Sequence, residues 1–231
     1  MKNIFIILGL LLVVSCGEEQ HDLTVKGTIK DLKKGTLYLQ KIQDSTLITV
    51  DSLTINGEST FELHADLESP EVFFLHLNKT NEDAYGKISF FADKGVTEIN
   101  ANLKNFELNP EIKGSKQQVI FETYLKMMDR YNDKNLELIK NEIDAKTQND
   151  SMLMAANMKA YENLLKSKYL YTVNFAIQNK DSDVAPYVAL TEIYDAQIKW
   201  LDTINNSLTP EIKASKYGKE LDAFIKERKG N

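Results

Sequence analysis

The sequence predicts an α+β protein: an N-terminal antiparallel β-sandwich or partly open barrel over residues 23–112, then a helical region of four or five helices over residues 113–231. Three observations predict it. Apolar residues recur with period two from Leu23 to about Leu103, the signature of half-buried strands. Turn-forming clusters, "DLKKG" (31–35), "QDST" (43–46) and "NGES" (56–59), break that region at short intervals. After "NPEIKGS" (109–115) the apolar period lengthens to that of a helix.

Seven strands follow in order: "LTVKGTI" (23–29), "GTLYLQKI" (35–42), "LITVDSLTI" (47–55), "STFELHADL" (59–67), "EVFFLHLN" (71–78), "KISFFADK" (87–94) and "VTEINANL" (96–103). All are rich in the β-branched, aromatic and leucine side chains that fit a pleated sheet. Their short separations predict hairpins. "NGES" is the clearest turn signal, because Asn-Gly supplies the two positive φ angles of a tight hairpin.

Ser115 with Gln118 three residues on predicts a capping box, and Ile120, Tyr124, Met127 and Tyr131 then lay one stripe along a helix. Asp150 predicts the cap of a second helix with the stripe Met154, Met158, Tyr161, Leu165, Tyr169, Val173 and Ile177. Asp183 opens a third, with Pro186 in its first turn and Leu190, Ile193, Tyr194, Trp200, Leu201 and Ile204 along one side. Thr209 before Pro210 starts another, and a last amphipathic piece spans 216–229. Such stripes ordinarily form core. Asp195 with Lys199 and Asp222 with Lys226 read as surface ion pairs.

Ahead of the strands, Lys2 precedes an apolar run, Ile4 to Val14, too short to span a bilayer and ending in Ser15 and Cys16. This is the anatomy of a secretory signal. The order Val13, Val14, Ser15, Cys16 resembles a bacterial lipobox. The resemblance implies removal of residues 1–15, acylation of Cys16 and a short linker over residues 16–22. Acyl chains contribute about 0.8 kcal/mol per buried methylene, enough for two or three to hold a domain at a membrane without a spanning helix. Gly17, Glu18 and Glu19 resemble the export signal of surface lipoproteins in Bacteroidota, and read equally as a solvated linker. The expected location is the outer membrane or periplasm, lipid-anchored, or the cell surface.

With 28 basic and 34 acidic side chains the chain carries a net charge of −6, which disfavours nucleic acid as a partner. Cys16 is the only cysteine. Once acylated, it leaves no thiol for a disulfide, a redox pair or a nucleophile.

Gly27 and Gly35 framing the first expected hairpin, Gly114 with Ser115 at the strand-to-helix change, and "SKYGKEL" (215–221) carry a further resemblance. Together they resemble a domain of unknown function of Bacteroidota lipoproteins, usually found ahead of a thioredoxin-like domain of the AhpC/TSA type. The resemblance implies that a redoxin with a CxxC pair would follow a segment such as "FIKERKGN". The sequence ends there, so a stand-alone accessory region is expected, with a truncated redoxin gene as another reading. No thiol chemistry is carried over.

Candidate sites are few. His64 and His76 both point away from the apolar faces of their strands, and with Asp66 would offer metal ligands if those strands pair. His21 is the remaining histidine. Exposed sheet histidines are the simpler reading, and no metal or cofactor is expected. The carboxylate pairs Asp181 with Asp183 and Glu18 with Glu19 offer acid and base groups, but such chemistry needs a pocket that shifts one pKa. No GxSxG elbow or phosphate-cradling glycine loop occurs. The tripeptides "DST" (44–46), "DSL" (51–53), "DSM" (150–152) and "DTI" (202–204) resemble the O-glycosylation pattern of exported Bacteroidota proteins. They nominate Ser45, Ser52 and Ser151, against a turn and N-cap reading.

The function expected from these features is that of a non-catalytic binding or adaptor lipoprotein docking another envelope protein such as a redoxin. The alternative is a small-molecule or glycan-binding lipoprotein, or a cryptic hydrolase, built on Phe73, Phe74, Phe90 and Phe91. An aromatic pocket would favour that alternative, and solid core would dismiss it.

Overall fold

The structure, a computed structural model, describes residues 21–79 and 86–230. Cys16 and the residues before it, with Glu18 and Glu19, lie outside the described residues. Eight strands come first: β1 (Leu23–Lys30), β2 (Lys34–Gln43), β3 (Thr46–Asn56), β4 (Thr60–Ala65), β5 (Glu71–Asn78), β6 (Gly86–Ala92), β7 (Gly95–Asn102) and β8 (Glu111–Lys113). Six helices follow: α1 (Lys116–Gln148), α2 (Ser151–Gln178), α3 (Val184–Glu192), α4 (Ile198–Ser207), α5 (Pro210–Ala214) and α6 (Lys216–Gly230). The expected α+β order, strands then helices, is the order found. Among the described residues no helix is long and apolar enough to cross a membrane.

The strands form two four-stranded sheets, ordered β4-β1-β7-β8 and β3-β2-β5-β6. Alternation does what period two requires. Leu23, Val25, Leu37, Leu39, Phe73, Leu75, Leu77 and Phe90 are all fully buried between the sheets.

The pairing differs from a run of hairpins. β1 and β2 lie in different sheets, so Gly27 and Gly35 do not frame a hairpin, and β1 pairs with β7 in parallel. Gly27 is required by this neighbour, since a Cβ there would lie 1.9 Å from the Ile99 carbonyl oxygen. "NGES" joins β3 to β4 across the two sheets, and only Gly57 has positive φ. The tight two-residue turn falls instead at Asp44 (φ 47°) and Ser45 (φ 63°), between the paired Gln43 and Thr46. Asp tolerates the left-handed region better than most residues, which is why "QDST" serves where Asn-Gly was expected.

The β5–β6 end of the second sheet is covered on both faces. Phe73 and Phe90 point into the sandwich, while Val72 and Phe91 belong to a second core shared with the helices. In that core α3 is the centre, with Val184, Ala185, Val188 and Ala189 fully buried. The edge of β6 is closed by a helix: the Phe91 amide donates to Gln118 Oε1 at 2.8 Å. Ser115 Oγ accepts from the Gln118 amide as expected of a cap, but the Gln118 side chain does not return to complete a capping box. It is spent on the sheet. The stretch expected as a third helix is split by a break at residues 193–197, giving α3 and α4.

Candidate functional site

Two regions stand out: a cleft at the seam between sandwich and helices, and an open face on the α1–α2 hairpin.

The seam is organised by Glu71, which heads β5 and is 4% exposed. Lys41 Nζ from β2 donates to its Oε1 at 2.8 Å, and Lys216 Nζ, at the start of α6, donates to its Oε2 and also, at 3.0 Å, to the Ile42 carbonyl. One buried carboxylate therefore ties both sheet strands to the helical region. The next residue of α6 repeats the tie, because the Tyr217 hydroxyl accepts from the Val72 amide at 3.0 Å. Burial pushes the Tyr217 phenol well above its ordinary pKa. Gly218 lets α6 sit this close, since a Cβ there would lie 1.8 Å from the Ile212 carbonyl oxygen. Three successive residues of "SKYGKEL" thus serve the junction.

Around this triad the cleft has two lobes. The larger, about 1030 Å³, is bounded by the β2–β3 turn, the β4–β5 loop and the α5–α6 junction. Its walls include Asp66, Glu68, Asp181, Asp183 and Glu211. The smaller, about 440 Å³, is floored by Val72, Phe74, Tyr187, Leu190 and Tyr217. Ile42, Asp44, Lys216 and Glu220 border both lobes. Asp183 is 3% exposed and its Oδ1 has no hydrogen-bond partner. Burial raises its pKa, the Ser215 hydroxyl opposes that, and the neighbouring Asp93 and Glu211 add to it. Glu220 is raised by burial as well, against the pull of Lys216. Burial holds the Tyr187 phenol at about 12.

The second region is the hairpin. Its seam is marked by the Tyr124 hydroxyl bonded to Thr172 Oγ1 at 2.8 Å near the base, and by Asn157 Nδ2 donating to the Leu138 carbonyl at 3.0 Å further out. Beyond residue 131 in α1 and before residue 168 in α2, only Leu138, Ala145 and Asn157 are buried. Leu136, Ile139 and Ile143 of α1 are exposed at 63%, 45% and 59%. Met158, Tyr161 and Leu165 of α2 are exposed at 66%, 48% and 36%. Met158, Tyr161 and Leu165 lie on the stripe expected to be core. Ile139 follows the seam residue Leu138, and Met158 follows the seam residue Asn157, each displaced by about 100° around its helix axis. In an antiparallel pair those displacements fall on the same side. At the base, Val173 and Ala176 follow Thr172 and Phe175 in the same way, and there the side is buried against α3. The outer half of the hairpin continues a core face without its cover.

The remaining candidates do not assemble. His64 is on β4 and His76 on β5, in different sheets, so the ligand set with Asp66 is not formed. His64 stacks on His21 at 5.2 Å and lies 3.4 Å from Thr24 Oγ1, and His76 faces Tyr38. Among the described residues no group of three or more His, Cys, Asp or Glu side chains is placed to hold a metal ion. Phe73, Phe90 and Phe91 are fully buried core, which removes them as pocket walls, and only Phe74 lines a lobe. Ser45, Ser52 and Ser151 are exposed, in the β2–β3 turn, on β3 and at the start of α2. Asp150 caps α2 by accepting from the Met152 and Leu153 amides at 3.0 Å. Thr203 donates to the Lys199 carbonyl within α4. Asp222 pairs with Lys226 as expected, whereas Asp195 accepts from the Tyr169 hydroxyl instead of pairing with Lys199.

Glu71, Lys216, Tyr187 and Tyr217 were not legible as site residues. The available signal was an acid heading the otherwise apolar "EVFFLHL", and the motif "SKYGKEL".

No curated protein and no solved structure matches the chain. Residues 23–121, spanning the sandwich and the first turns of α1, match the family model described as Domain of unknown function (DUF4369).

Proposed function

We propose that this protein is a non-catalytic docking module, tethered to an envelope membrane through acylated Cys16, that binds an apolar helical surface of another envelope protein along the open side of the α1–α2 hairpin. The observation that carries this reading is the continuity of that side with the face that buries α3. A surface already packed against one helix at its base has the spacing to accept another further out. Six large apolar side chains there exceed the scattered exposure of an ordinary surface. The sequence supports the tether and the compartment, and its resemblance to the accessory region of envelope redoxins makes a redoxin the first partner to try.

Photo-crosslinking residues placed at Ile139 and Met158, and at Glu137 and Asn163 on the opposite side, test this in the native envelope. Crosslinks to one protein confined to the first pair, abolished by Leu136→Glu with Ile143→Glu and reproduced with the purified partner, support the reading. Crosslinks only to a second copy, only to lipid, or equally from both pairs overturn it. Cys16→Ser tests the tether separately: the variant should leave the detergent phase.

A further inference from the structure

We infer that the two-lobed seam cleft is a peptide-binding site, taking an extended segment that seats one aromatic or large apolar side chain in the smaller lobe and lays lysine or arginine side chains along the larger. This site lies apart from the hairpin side and stands or falls independently of it.

The size leaves room for an extended segment across both lobes. Pockets for drug-sized ligands run to about 1,000 Å³, and the larger lobe alone reaches that figure before the smaller is added. The charge selects the sign. Lys41 and Lys216 are both committed to Glu71, and Asp22 to Lys94. Glu68, Asp181, Asp183 and Glu211 form no ion pair among the described residues, while Lys219 is the remaining cation of the walls. Asp183 adds a separate indication. Its Oδ1 is buried and unpartnered in the free protein, and a buried acceptor without a partner is costly unless something supplies a donor. An ammonium or guanidinium group does so. The smaller lobe supplies the anchor: Phe74, Tyr187 and Tyr217 present aromatic surface, with Tyr187 and Tyr217 already packed at 5.0 Å. Aromatic anchors carry much of the affinity in such sites. Lys216 and Glu220 stand where the lobes meet and fix the spacing between anchor and cations.

Fluorescence anisotropy of the purified protein with labelled hexapeptides tests this. The probes combine one Trp or Phe with two Lys or Arg in all orders; the controls replace both basic residues by Glu, or the aromatic by Ala. Spermidine serves as a free polycation. At least one probe should bind ten-fold or more tighter than either control, weakening with salt. Thr191→Trp, which fills the rim of the smaller lobe, should weaken it at least ten-fold. So should Asp181→Lys with Glu211→Lys, both exposed, and fold is checked by circular dichroism. The inference is overturned if no probe outperforms the controls. It is equally overturned if spermidine displaces the probe at equal affinity, or if Thr191→Trp leaves binding unchanged.

Discussion

Glu71→Ala should loosen the sandwich from the helices, and the size of the effect can be worked from the geometry. The side chain is 5% exposed and receives two charge-assisted hydrogen bonds, from Lys41 (19% exposed) and Lys216 (29% exposed). Removing the shared acceptor from a buried ion pair costs about 3–5 kcal/mol. Here each ammonium keeps some access to water, which places the loss near the bottom of that range, about 3 kcal/mol. For a chain of this length each kcal/mol lowers Tm by about 2–4 °C, so the variant should melt roughly 6–12 °C below the parent. Glu71→Gln, which keeps an acceptor but not the charge, should lose about half as much. Urea unfolding of the parent, Glu71→Gln, Lys216→Met and the double variant gives the coupling directly. A Glu71→Ala loss under about 0.5 kcal/mol, or zero coupling, refutes the triad as the tie between the two regions.

Five further outcomes are expected. Tyr124→Phe should cost about 1 kcal/mol, whereas Thr172→Val, which strands a buried phenol, should cost about 1–3 kcal/mol, read from urea midpoints. Gly218→Ala should abolish the α5–α6 packing, because its Cβ would meet the Ile212 carbonyl oxygen at 1.8 Å. Gly57→Ala has open space and pays only for φ 109°, so it should stay folded with a loss of about 1 kcal/mol. The raised pKa of Asp183 means the folded state binds its proton more tightly. Its carboxylate therefore destabilises the fold as pH rises from the ordinary aspartate range through the folded pKa. Asp183→Asn should be more stable than the parent near neutral pH, with the gap closing as pH falls through that window. Amide hydrogen exchange should be faster in the outer hairpin, residues 133–165, than at Tyr124 or Val173, since few side chains there are buried.

The strands were legible because each face of a sandwich obeys period two, and all seven expected segments became strands. Their pairing was not, because proximity in sequence favours hairpins while Leu23 selects Gly95 as a parallel neighbour. β8 is three residues long and carries too little pattern to be recognised. Along α2 the stripe was correctly placed, yet a stripe records only that one side is apolar and not whether anything covers it. Val173 and Met158 sit on the same stripe, one 4% and the other 66% exposed. The cleft was invisible for a related reason. Phe74 and Phe91 are both aromatic residues on adjacent strands, and only the position of α3 and α6 makes one a wall and the other core.

The side-by-side run of β1 with β7 also sets an order of events as the chain leaves the ribosome or a translocation channel. The opening strand has no lasting neighbour until the residues around Phe61 and then Ile99 have emerged. For that interval Leu23, Val25 and Ile29 wait as an uncovered sticky edge. Closure of so long a loop is slow relative to local hairpin formation, so a holdase that shields the first strand should raise the yield of folded protein more than one acting on the helices.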